Sequence, residues 1–157
     1  MPSFYCLKLT TGETLLAEVI EVDQDYITLG DPFQVNIFEG ESRDSISAVP
    51  WIPFTDSKRV KIKFSLVYFM DHMIPKFLKF YATMVLQSRI YAIKNDVVAA
   101  TANTDVISSA NSYYVMMAGI EEMKKAGEEI AEKFGVPSDV DVSSFEEAAA
   151  KYKPVMN

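Results

Sequence analysis

The sequence is poor in the residues that carry most enzymatic chemistry. Its 157 residues hold one histidine, His72, one cysteine, Cys6, and one tryptophan, Trp51. No second His or Cys stands at metal spacing from His72, so ligand count excludes a zinc site. Asp71-His72 then reads as a surface or capping pair. Serine catalysis needs a histidine base with an orienting partner and an exposed nucleophile, and the chain offers no such set. One cysteine permits no internal disulfide and fits a reducing cytosol. Its alternation with Tyr5 and Leu7 makes Cys6 a strand residue, core filler rather than nucleophile. The six glycines never cluster, which excludes a phosphate-cradling loop. A protein without catalysis, metal or cofactor is the expectation.

Positive charge is also short. Fifteen Lys and Arg stand against 22 Asp and Glu, a net charge of −7 and a pI near 4.7. Such a chain is no general polyanion binder, because nonspecific nucleic-acid affinity rests on phosphate neutralisation. A nucleic-acid role would need a local patch. The start, MPSFYCLKL, lacks the charged segment and long apolar run of a signal peptide, so a cytoplasmic, non-membrane protein is expected. There is no internal repeat and no low-complexity tract.

What is present is 49% hydrophobic residues and 12% aromatic, ample for a core. The organising stretch is residues 7–29, LKLTTGETLLAEVIEVDQDYITL. Leu7 and Leu9 close a first strand, 4–9, and Gly12 serves a turn. Residues 14–22 form a second strand, Asp23-Gln24-Asp25 a second turn, and residues 26–29 a third strand. The two aspartates read as turn residues bonding locally, with a paired-carboxylate site as the other reading. Gly30-Asp31-Pro32 marks a bulge or a corner, and Phe33, Val35 and Ile37 a half-buried strand. Residues 47–54 carry Pro50 and Pro53, the mark of an edge strand with its missing donors outward. Residues 59–70 are expected as one strand. In it Val60, Ile62 and Phe64 face one way and Arg59, Lys61 and Lys63 the other, and 66–69 run apolar, covered on both faces.

Gly12, Val22, Asp23 and Ile27 carry a resemblance to the first motif of the Sm/LSm family, in its bacterial host-factor branch and the Sm-like proteins of marine bacteriophages. Residues 46–54, ISAVPWIPF, resemble the Pro-aromatic-x-Pro strand of the phage group. The likeness covers residues 4–85. It implies a strongly bent five-stranded Sm-like, SH3-like barrel that assembles through edge strands into a homo-oligomeric ring. It also implies a phage-encoded protein binding RNA or single-stranded DNA in a host cytoplasm. The chain departs from the family pattern in two places. Asp25 and Ile27 stand where many members carry base readers, and Thr55-Asp56-Ser57-Lys58 replaces the Arg-Gly turn of the second motif.

The remainder is helical. Residues 75–93 are apolar nearly all round, with Asp71 as cap and Pro75 in the first turn. This helix plugs or packs on the barrel, or lies in a subunit interface. Residues 95–111 read as a linker or weak helix. Residues 112–134 carry a seam of Met116, Ile120, Met123, Gly127, Ile130 and Phe134, stopped by Gly135 and Pro137. Ser143 or Ser144 with Glu146 or Glu147 makes a capping box for a last helix, 145–153. The chain thus divides into a barrel, 1–70, an apolar helix, 71–94, and a helical extension, 95–157.

Two features point to nucleic-acid binding. Arg59, Lys61 and Lys63, with Lys58 adjoining, put cations on one side of a strand. Tyr26 and Trp51 would stack on bases if exposed, and Asp23 sits in the family's motif. The alternative is an oligomeric scaffold or protein-interaction module in which the cationic face is merely solvated.

Overall fold

The computed structural model describes residues 3–42, 45–52, 57–102, 109–137 and 140–154. Six strands come first: β1 (Ser3–Leu9), β2 (Thr14–Val22), β3 (Tyr26–Phe38), β4 (Ser45–Pro50), β5 (Arg59–Lys63) and β6 (Val67–His72). Three helices follow, α1 (Pro75–Thr101), α2 (Ser109–Phe134) and α3 (Ser143–Ala150). The chain forms two compact units, Met1–Met84 and Val85–Asn157, and the division falls within α1.

In the first unit the strands form one antiparallel sheet in the order β4-β3-β2-β1-β6, with β5 also paired to β3. Gly12, at φ 106°, supplies the left-handed residue that the β1–β2 turn requires. Leu7, Leu9, Leu15, Ala17, Ile27, Leu29 and Ile62 share one buried cluster, joined by half-buried Val60, Val67 and Met70. Side chains from five strands meet in one interior only if the sheet curls, so its character is barrel-like.

β3 is a single strand of 13 residues, where the sequence suggested two. Its register against β2 moves from Leu16–Phe33 to Glu18–Gly30, which leaves one extra residue in β3 around Asp31 and Pro32. That is the bulge anticipated there. Asp31 takes φ 43°, and its N–H donates to the Lys58 carbonyl at 2.7 Å. Beyond the bulge the outer partner of β3 changes. Residues 26–30 pair with β5 and residues 33–38 with β4. β4 is a terminal strand of the sheet, and Pro50 lies at its end, as an edge strand permits. The rest of the expected Pro-rich strand, Pro53 and Phe54, and the turn residues Thr55 and Asp56 lie outside the described residues.

The expected strand 59–70 is two strands. A 3-10 turn over Phe64–Leu66 separates β5 from β6, so one pairs with β3 and the other with β1. Phe64 therefore leaves the inward row of Val60 and Ile62 and is exposed. The apolar run after it is not covered on both faces. Leu66 of the turn and Tyr68 and Phe69 of β6, the other terminal strand, are exposed, Tyr68 at 79%. Cys6 pairs with Leu16 on the face opposite the Leu7 cluster, so it is half-buried outside that core rather than filling it.

The start of α1 packs in this unit through Tyr81. Its ring lies edge-on to Phe33 and tilted to Phe4, each at 6.0 Å, and its hydroxyl donates to the carbonyls of Gly30 and Asp31 at 3.0 and 2.9 Å. The apolar helix thus has one of its faces on the sheet. Asp71 does not cap it. The residue lies in β6, and its Oδ1 accepts the N–H of His72.

In the second unit α1 continues to Thr101, well past the expected end. Residues 103–108 of the expected linker lie outside the described residues. In α2 the seam is buried as its spacing requires: Ile120, Met123, Gly127, Ile130 and Phe134 face inward. Ile120 and Met123 of this seam share a cluster with Val142 and Ala149, and Ile90 and Ile93 of α1 and Phe145 of α3 pack against it. Gly119 permits a close approach, because an added Cβ would come 2.5 Å from Cγ2 of Val97. Gly135, at φ 64°, ends α2, its N–H donating to the Ala131 carbonyl. The capping box does not form. Ser143 begins α3, and both its N–H and its hydroxyl donate to Asp141.

Candidate nucleic-acid interface

Geometry at the β2–β3 turn starts from one carboxylate. Asp23 Oδ1 accepts the N–H of Asp25 at 2.9 Å and of Tyr26 at 2.7 Å, a local Asx turn. The Asp23 N–H closes the hairpin on the Tyr26 carbonyl. These two backbone donors, and then Lys61, hold the Asp23 carboxyl below its ordinary range. The turn reading of Asp23 therefore holds, and Asp25 does not form a carboxylate pair with it through hydrogen bonds.

Pairing of β5 with β3 brings cations to this turn. Lys63 stands opposite Tyr26, Lys61 opposite Thr28 and Arg59 opposite Gly30. All three are exposed while Ile62 is buried, the alternation expected from the sequence. Lys61 is engaged. Its Nζ lies 3.3 Å from Asp23 Oδ2 and 4.9 Å from the centre of the Tyr26 ring. An exposed ion pair and an exposed cation–π contact are both weak and screened, so a phosphate can compete for this ammonium. Lys58 is exposed just before Arg59, at the end of β5 away from Tyr26.

Beside the turn lies an open groove of about 450 Å³, lined by Gln24, Asp25, Tyr26, Lys63, Phe64 and Ser65. The Phe64 N–H donates to the Asp25 carbonyl at 2.8 Å, which ties the 3-10 turn to the hairpin. Tyr26 is 37% exposed and Phe64 is also exposed. Of the residues singled out from the sequence, the fold brings Asp23, Tyr26, Lys61 and Lys63 together and carries Arg59 and Lys58 along the same strand. Trp51 is not there. Its N–H donates to the Pro32 carbonyl at 2.9 Å and its half-buried ring packs on the core, so it is no free stacking platform. Phe64 escapes a reading of the sequence, because nothing in Lys63-Phe64-Ser65 marks a turn. Only the switch of pairing partner reveals it.

His72 stacks on Tyr5 at 4.3 Å with its Nε2 3.3 Å from the tyrosine hydroxyl, an exposed surface arrangement. Burial, and then the charge of Asp71, push the Cys6 thiol up, away from the thiolate a nucleophile needs. Among the described residues no group of three or more His, Cys, Asp or Glu is placed to hold a metal, and no helix is long and apolar enough to cross a membrane. Compared with known proteins, the chain matches no family model, and no curated protein matches it significantly.

Proposed function

We propose that the chain is a subunit of a closed homo-oligomeric, Sm-like ring that binds RNA or single-stranded DNA without catalysis. The observation that carries the binding reading is the meeting of Tyr26 and Lys63 at one groove beside the Asp23 turn, with the Lys61 ammonium over the same Tyr26 ring. A stacking ring and two ammonium groups are what a single strand requires, and assembly would repeat the patch by symmetry. Self-association is supported by the two sheet edges. β4 and the end of β3 expose Ile37, Phe38, Ile46 and Val49, while β6 exposes Tyr68 and Phe69. Apolar terminal strands of this kind invite strand-to-strand joining. The likeness to phage Sm-like proteins makes a host cytoplasm the setting.

Light scattering on the eluting full chain tests the first part, and a monomer at tens of micromolar, where specific assemblies persist, overturns it. For the second part, affinity for labelled RNA and DNA oligomers is measured against salt. Replacing Arg59, Lys61 and Lys63 by Ser should flatten the log–log slope by roughly 0.7 for each phosphate left without its cation. Tyr26→Ala should weaken binding without changing the slope.

One observation favours a second reading. Lys61 already has Asp23 as partner, and the half-buried Trp51 packs against the core away from the turn groove. If no oligomer binds at about 50 mM salt, where phosphate contacts are strong, the protein is an oligomeric scaffold or interaction module.

A further inference from the structure

The turn groove is lined by polar and aromatic side chains beyond the Asp23 turn itself. Asp23 is occupied by two backbone donors and Lys61, but the neighbouring Asp25 carboxylate is exposed. Its main chain is held from both sides, the N–H by Asp23 and the carbonyl by Phe64. The same groove is lined by Lys63, by Tyr26 and Phe64 with their partly exposed rings, and by Gln24 and Ser65.

We infer that this groove takes a guanine base of a single strand, with Asp25 as the group that reads it. The inference rests on the nucleic-acid reading above and adds the identity of the base. A carboxylate accepts hydrogen bonds and donates none. In an unpaired strand the Watson–Crick edges are open to such a reader. Guanine alone presents two adjacent donors there, N1–H and the N2 amine, spaced to meet both carboxylate oxygens. Adenine and cytosine offer one amine beside a ring-nitrogen lone pair, which the carboxylate repels. Uracil offers one N–H flanked by two carbonyl oxygens, which is worse. Lys63 then meets the phosphate, the rings supply the stacking surface, and a backbone pinned on both sides holds Asp25 in place before the ligand arrives.

The test uses the full chain and four mononucleotides, GMP, IMP, AMP and UMP, followed by amide shifts of Tyr26, Lys63 and Phe64. GMP should bind roughly tenfold more tightly than UMP, the lower part of what a bidentate contact discriminates. IMP, which lacks the N2 amine, should fall between them. Asp25→Asn should bring GMP down to the level of UMP while the Phe64 amide signal, the marker of the intact turn, stays in place. Lys63→Ala should weaken all four alike. Equal or better binding of UMP or AMP overturns the inference, as does a guanine preference that survives Asp25→Asn. If oligonucleotides bind but show no base preference, only this inference falls. If neither mononucleotides nor oligonucleotides bind at low salt, the nucleic-acid reading falls with it.

Discussion

The two units place their apolar side chains by different rules. In the helical unit the α2 residues that recur at steps of three and four are the ones buried, and charged residues occupy the positions between. In the β unit, alternation along a strand does not by itself decide burial. Leu7 and Leu29 are buried completely, while Ile37 is 66% exposed and Phe69 is exposed on β6. The difference is one of neighbours. A helix settles its inner face by its own period, but a strand side chain is buried only where the curled sheet closes over its face; Ile37 lies beyond the last residue of β3 paired to β2, and Phe69 lies on the terminal strand β6.

The largest expected effect tests the first rule. Ile130→Asp places a charge where the side chain is 1% exposed, among apolar neighbours, and should destabilise the helical unit by about 4 kcal/mol. Helical circular dichroism in urea reads it. A variant that melts like the parent would mean that the seam does not hold this unit.

Next in size is Tyr81→Phe. The hydroxyl is buried and satisfies the carbonyls of Gly30 and Asp31 at the bulge. Its removal should cost about 1–3 kcal/mol, since two carbonyls lose their donor out of water. Chemical denaturation checks it, and amide exchange at residues 29–33 should rise with the loss.

The edge strands sharpen the contrast. Tyr68→Lys with Phe69→Lys should change the stability of a single chain by within about 0.5 kcal/mol, as exposed positions do. It should nevertheless lower the mass seen by light scattering. Loss of folding instead would show that these side chains belong to a core, and the contrast between the units would break.

The smallest effect concerns acid. Asp23, Glu13 and Asp141 all have carboxyls below the ordinary range, Asp23 through backbone donors, Glu13 through the Thr11 hydroxyl and Asp141 through Ser143. A depressed folded-state value gives a contribution that is full above the unfolded value and is lost as pH falls through the folded one. The gap in urea midpoint between the parent and Asp23→Asn should therefore shrink as pH drops below the ordinary carboxylate range. A gap that is constant through that window counts against the turn as the source.

Much of this was legible where the determinant is local. Gly12 and Gly135 take positive φ, Asp23 closes its own turn, and the α2 seam follows from spacing alone. The bulge at Asp31 was legible from Pro32, but the continuity of β3 through it was not, because β2 carries the strand across. The break after Lys63 has no glycine or proline to mark it and comes from a change of partner. The groove at Tyr26 was half legible for the same reason. Its cations alternate visibly along β5, whereas Asp25 and Phe64 meet through a bond between residues 39 positions apart. In the helices, the burial of Gly127 follows from its place in the α2 seam. The close approach at Gly119 does not follow from spacing, and only the packing of Val97 identifies it.

Because β3 gives one half of its outer edge to β5 and the other to β4, it works as a rail carrying two independent cars. The β5 half is anchored by Ile27, Leu29 and Ile62 in the interior, while the β4 half bears exposed Ile37 and Ile46. Opening of one half does not require opening of the other. Hydrogen exchange should accordingly release the amides of residues 45–49 well before those of residues 60–62, a local unzipping at far less than the global free energy. The strand that comes loose first is the one best placed to pair with a second chain. Assembly would then begin as an exchange of pairing along a frayed edge, with the interior at Ile27 and Ile62 undisturbed.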